Sequence, residues 1–361
     1  MKNSIFIAAT GQNIGKTTIC LGILAGLKKR FSSVGFIKPV GQQHVTTPDG
    51  AIADKDVVLF KEHFHLTSNY STMSPVLCPQ GFTRDYLDEK INEQELLSKI
   101  SSSFHDIANT HDYVLAEGTG HVGVGSIFHL NNARVAQALN LDVVLIATGG
   151  LGSAIDELSL NIEMLKHHGV KVRGVIVNKV MEDKREMIAH YFPKALARWD
   201  IPLLGLIPYL PYLSLPMMQD FEGLFKTKLL SGYSNRLRHF KEIRLIAGSL
   251  ESYVSELKPH QLIITPACRE EIIVATLEEH LQSKEDMGFG MILTGQTPPR
   301  QEIVECIKAT DIPILYAPLC SFDIMKKITS FTAKIGNDDL PKIEKAIDLV
   351  EGHIDFTALI R

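Results

Sequence analysis

The segment Ile5-Phe6-Ile7-Ala8-Ala9-Thr10-Gly11-Gln12-Asn13-Ile14-Gly15-Lys16-Thr17-Thr18 constrains this chain more than any other stretch. A short apolar run leads into a glycine-containing loop, and the loop opens onto an amphipathic stretch, Thr17 to Phe31, with Leu21, Leu24 and Leu27 near one face. A strand, a tight turn and a helix are expected in that order. Gly15 lets the backbone turn close to an anion, and the loop amides and helix N-terminus supply positive potential there. Read against G-x-x-x-x-G-K-[ST], Thr10 stands where the first glycine would be, while the rest of the context is intact. The segment is therefore expected to cradle nucleotide phosphates with Gly11, Gln12, Asn13, Ile14, Gly15, Lys16, Thr17 and Thr18. Lys16 would reach the β/γ-phosphates, and the Thr17 hydroxyl would face Mg²⁺. A dinucleotide loop is disfavoured, since G-x-G-x-x-G is missing and the lysine would have no role.

Further strands are expected at Val34 to Ile37, Tyr113 to Ala116, Val143 to Ala147 and Val172 to Val177, with helices at Ala133 to Ala138 and Asp156 to His167. Short Val/Ile-rich runs alternating with helical patterns indicate a mostly parallel sheet flanked by helices. The proline-rich stretch Ile207 to Pro216 punctuates this pattern and divides the chain into residues 1–211 and a second, smaller α/β domain, residues 212–361. In that second part Phe221 to Leu230, Glu242 to Leu257, Glu270 to His280 and Arg300 to Ala309 read as helices. Leu262 to Thr265, Gly290 to Leu293 and Ile314 to Tyr316 read as strands.

Carboxylates and a second lysine complete the candidate site. Glu117 follows an apolar strand and precedes Gly118-Thr119-Gly120, where a metal-binding or water-binding acid emerges in α/β sites. Asp56 is a second candidate metal ligand, and Asp54, two residues before it, could also reach metal; either reads equally as a helix-start acid favoured by the dipole. Lys38, leaving a strand before Pro39, is positioned to neutralise phosphate or hold an anionic acceptor. His121 sits in the glycine-rich loop Gly118 to Gly125 and reads as an ordinary loop histidine before it reads as a base. Asn178 ends a strand and is suited to a purine edge; no aspartate of the N-K-x-D pattern follows it, which favours adenine over guanine. In the second domain Arg269, Glu270, Glu271 and Thr294 either line a ligand cleft or form a solvated helix start.

Composition narrows the function classes. A formal net charge of -4 with no extended basic patch argues against nucleic acid as a partner. No apolar run reaches the roughly 18 residues of a membrane helix, and the N-terminus reads as a strand and not as a signal peptide. Five scattered cysteines suit reduced thiols and a cytoplasmic location.

The segments Thr10 to Thr17, Lys38-Pro39-Val40, Asp56, Glu117-Gly118, Asn178 and Gly205 to Pro208 resemble, in order and spacing, the dethiobiotin synthetase-like P-loop fold. The stretches Glu117 to Ser126, Asn131 to Ala136 and Gly149 to Glu157 bring the resemblance closer to the N-terminal region of long bacterial phosphate acetyltransferases and their stand-alone relatives. Ile263 to Ile272 and Met291 to Gly295 resemble the DRTGG domain that follows this region in such proteins. The acetyltransferase catalytic domain would have to follow position 361, outside this sequence. The resemblance implies ATP and Mg²⁺ as cofactors, with Lys16, Lys38 and Glu117 at the reaction centre, Thr17, Asp56 and Glu117 on the metal, and Asn178 on adenine. The dethiobiotin synthetase loop is acidic where this sequence has Gly11 and Asn13, which argues against dethiobiotin synthesis itself.

Two functions are therefore expected to compete. One is an ATPase or ATP-dependent ligase acting on a small acid or amine. The other is a non-catalytic regulatory or scaffold protein that responds to nucleotide and a small-molecule metabolite. Homo-oligomerisation through the second domain is implied by the resemblance.

Overall fold

A computed structural model describes residues 3–47 and 49–361. The chain forms two compact units, residues 1–210 together with 335–361, and residues 211–334. The second unit is thus an insertion. This corrects the expected division at one end: residues 335–361 return to the first unit instead of completing the second.

The first unit is built on a six-stranded sheet of β1 (Asn3–Ala9), β2 (Val34–Ile37), β3 (Tyr113–His121), β4 (Val143–Thr148), β5 (Val172–Val180) and β6 (Leu203–Pro208). The spatial order is β6-β5-β4-β1-β3-β2, and all pairs are parallel. Strands covered on both faces must be apolar throughout, which is why Ile5 to Ala9, Val143 to Ala147 and Val175 to Val177 are continuous hydrophobic runs, all buried. The helices that matter for the site are α1 (Lys16–Lys28), α2 (Lys55–Phe64) and α3 (Gly152–His167). From β1 the chain first builds β2 and β3 on one side and then β4 to β6 on the other. The order therefore reverses at β1, and a ligand crevice belongs at the carboxyl ends of the strands beside it.

The inserted unit has its own five-stranded sheet, in spatial order Leu229–Ser231, Ile314–Ala317, Gly290–Thr294, Gln261–Pro266 and Glu242–Leu245. All pairs are parallel except that of the first strand with Ile314–Ala317. Two buried apolar clusters, one containing Met291 and the other Ile292, cover its faces.

Two expected helices are corrected here. In Phe221 to Leu230 the helix is Met218–Phe225; Lys226 ends it in a left-handed conformation (φ 54°), and Leu229–Ser231 becomes an edge strand. In Glu242 to Leu257 the first four residues pair in parallel with Gln261 to Ile264, and the helix is only Leu250–Ser255, capped by the Ser249 hydroxyl. Short apolar runs suit either element, and in both places pairing with a distant strand decides.

Candidate nucleotide site

The loop between β1 and α1 is held in shape from several sides. Gly15 caps α1 in the left-handed region (φ 103°), and Asn13 before it is also left-handed (φ 56°). A Cβ on Gly15 would overlap the Asn178 amide nitrogen, so this position needs glycine on two counts. Asn178 Nδ2 donates to the Ile14 carbonyl at 2.7 Å, and Asn178 Oδ1 accepts from the Lys179 amide at 2.9 Å. Lys179, itself left-handed (φ 59°), donates through Nζ to the Asn13 carbonyl at 2.8 Å. The carboxamide expected to read a base edge thus shapes the loop in this structure.

Thr10, the departure from the glycine pattern, has a specific partner. Its hydroxyl donates to Glu157 Oε2 of α3 at 2.9 Å, while Asn161 of the same helix donates to the Thr10 carbonyl at 3.4 Å and accepts from the Val122 amide at 3.0 Å. One helix therefore ties the phosphate loop to the glycine-rich loop after β3. Sequence reasoning missed Glu157 and Asn161; their spacing of four residues on one helix face was the available signal.

Strand order brings the charged residues together. Lys38 leaves β2, Glu117 lies in β3 opposite Ile7 of β1, and Asp54 and Asp56 stand at the start of α2. Lys38 is only 6% exposed, and its ammonium pairs with Asp56, with Asp54 Oδ1 at 3.3 Å and with Glu117 Oε1 at 3.6 Å. Burial disfavours that charge, but Asp56, Glu117 and Asp54 outweigh it and hold the Lys38 pKa well above the ordinary lysine value. Asp54 is also the N-cap of α2: one carboxylate oxygen accepts from the Asp56 amide, the other from the Gln42 and Gln43 amides.

Lys16 Nζ donates to the Gly120 carbonyl at 2.8 Å. Its burial lowers its pKa, with Glu117 opposing the shift. Glu117, 1% exposed, is raised to about 7 by burial, against the pull of Lys38. Its Oε1 accepts from the Thr17 hydroxyl at 3.2 Å; its Oε2 is buried without a hydrogen-bond partner. His121 is exposed and accepts from the Gly123 amide at 3.1 Å; it ends β3, so the expected loop Gly118 to Gly125 is strand as far as His121.

In the inserted unit the charged helix start is occupied internally. Arg269 bonds Glu271 Oε1 at 2.8 Å and the Gly248 carbonyl at 2.9 Å, Glu270 pairs with Arg300, and the Thr294 hydroxyl is 2.7 Å from that of Ser321.

A model of the AAA domain family matches residues 3–217, and one of the DRTGG domain matches residues 224–331. The chain belongs to the AAA domain family. Membership places it among P-loop nucleotide-binding proteins, as the cradle predicts. It is 28% identical to a phosphate acetyltransferase of Pseudomonas aeruginosa and 26% identical to one of Nitratidesulfovibrio vulgaris; the matches cover 98% and 99% of this chain and 51% of each relative. The chain therefore spans about half the length of these curated relatives. An ATP-dependent dethiobiotin synthetase of Thermodesulfovibrio yellowstonii is 26% identical over 59% of this chain and 92% of its own length.

The AAA unit's residues fit a divalent cation in one respect and oppose it in another. The orphaned Glu117 Oε2, beside the Thr17 hydroxyl, is a buried acceptor of the kind a cation or its water satisfies. Asp56, in contrast, is engaged by Lys38, whose ammonium takes the centre of the three carboxylates. Among the described residues no group of three or more His, Cys, Asp or Glu side chains is arranged to hold a metal ion. No helix among them is long and apolar enough to cross a membrane.

Proposed function

We propose that this chain is a nucleotide-responsive regulatory protein: the AAA unit binds ATP with Mg²⁺, and the inserted DRTGG unit responds to a metabolite or builds a homo-oligomer. The observation that carries this reading is the state of Lys38. A ligase of the dethiobiotin synthetase type needs a cation free to orient an anionic acceptor, and the Lys38 ammonium is buried against three carboxylates. The match along 98% of the chain to a phosphate acetyltransferase relative supports the same reading; the match to the dethiobiotin synthetase covers 59% of it.

In this reading the amides of Gly11 to Thr18, with the N-terminus of α1, bind the phosphates, and Lys16 leaves the Gly120 carbonyl for the β/γ-phosphate oxygens. Thr17 and Glu117 would hold Mg²⁺, with Asp56 once it separates from Lys38; the ion supplies charge neutralisation at the phosphates. Asn178 keeps the loop in its binding shape and presents its remaining amide proton and lone pair to adenine.

Calorimetry with Mg·ATP, paired with a phosphate-release assay, tests the proposal. Saturable binding with little turnover is expected, and Lys16→Ala removes the binding. Turnover strongly accelerated by a small acid or amine would instead establish the ligase reading, in which Lys38 swings to the acceptor.

A further inference from the structure

Residues 335–361 lie outside both matched ranges, yet they pack as part of the AAA unit and not of the unit they follow in sequence. Their fit on α1 is specific. Gly22 and Gly26 stand four residues apart on one face, and a Cβ on either would overlap Val350 or Phe356 respectively. The helix that begins with the phosphate-binding lysine is thus cut to receive this segment. Near its other end, Lys29 Nζ pairs with Glu351 at 2.7 Å, and the Arg30 guanidinium lies 4.1 Å from the Phe356 ring centre.

The same segment reaches two further elements. Asn337 Nδ2 donates to Glu62 Oε2 of α2 at 3.0 Å. The Asp355 amide donates to the Leu204 carbonyl of β6 at 2.8 Å, and Ile354 forms a β-bridge with Gly205. The segment therefore holds α1, which starts at Lys16 and Thr17, and α2, which starts beside Asp54 and Asp56, each at a point away from the site. It also holds β6, the strand from which the chain departs into the DRTGG unit. Close-packed helices move as bodies, so a displacement of α1 or α2 at the phosphate end is passed to whatever is seated on their far ends.

We propose that residues 335–361 are a transmission strap. They link the occupancy of the phosphate cradle to the outgoing connection of the DRTGG unit at residues 334–335. This rests on the nucleotide-binding reading above. It assigns Val350 and Phe356 as positioning residues for α1, acting without touching the nucleotide.

Hydrogen exchange on the full chain, with and without Mg·ATPγS, tests the strap directly. Nucleotide should slow exchange in Leu340–Glu351 and Phe356–Ile360 of the wild type and leave both unchanged in Lys16→Ala. Phe356→Ala should weaken ATPγS binding about five-fold or more, the lower end of ordinary coupling between sites, while Phe356→Leu, which keeps the groove of Gly26 filled, retains the affinity. The wild-type exchange measurement needs no variant, so it decides the matter even if Phe356→Ala fails to fold. A wild type that binds ATPγS with no change in the strap overturns the proposal and leaves the nucleotide-binding reading standing. A wild type that binds no nucleotide overturns both.

Discussion

Asn178 donates its side-chain amide to the carbonyl of Ile14 at 2.7 Å, across 164 residues of sequence. That bond, with the Lys179 bond to the Asn13 carbonyl, fixes the turn that Gly15 completes. Gly15→Ala should therefore weaken nucleotide binding for two separable reasons. The left-handed backbone costs an alanine roughly 1–2 kcal/mol, and its methyl group meets Asn178. Adding Asn178→Ala to Gly15→Ala removes the second reason only. A double-mutant cycle on ATP affinity should show the two changes to be less than additive; strict additivity would exclude the contact as a cause.

Glu117 gives a pH dependence with a definite sign. Burial raises its folded-state pKa to about 7, above the value near 4.3 of an unfolded glutamate. Between those values the folded state holds the proton that the unfolded state has lost, so stability falls as pH rises through about 4.5 to 7 and is level above. Lys38 adds no slope there, because its raised pKa lies higher still. Chelator-treated protein followed by denaturant titration should show this decline, and Glu117→Gln should flatten it.

Lys38→Met leaves the buried Asp54 and Glu117 and the partly buried Asp56 without their central cation. Removing one partner of a buried ionic cluster costs on the order of 3–5 kcal/mol, so a large drop in melting temperature is expected. Mg²⁺ should restore part of it, since the vacated position then suits a divalent ion. A variant whose melting temperature ignores Mg²⁺ would count against Asp56 and Glu117 as ligands.

Thr10→Gly makes the loop conform to the full glycine pattern, yet it should destabilise the protein. The hydroxyl bond to Glu157 Oε2 is lost, at about 1.5–3 kcal/mol for a hydrogen bond to a charged group. Glu157→Gln, which keeps an acceptor in place, should cost less. Thermal unfolding of the two variants side by side tests the ordering.

Much of this was written in the sequence. Local order fixed the strand, turn and helix around Gly15-Lys16-Thr17, because apolar runs of the two periods and a glycine at the turn specify those elements without help from distant residues. The same local logic placed Lys38 beyond a strand; Glu117, expected to follow one, instead lies inside β3, which runs on to His121. What each side chain does there was decided by tertiary structure. In sequence Lys38 reads as a partner for phosphate or an anionic acceptor; strand order β1-β3-β2 sets it beside Glu117, and α2 brings Asp54 and Asp56, so its charge is paired inside the fold. Asn178 becomes a loop support only because β5 and the β1–α1 turn are brought together across the sheet. The last residues were the least legible. Gly22 and Gly26, more than 300 residues earlier, provide the groove that seats them on the first unit.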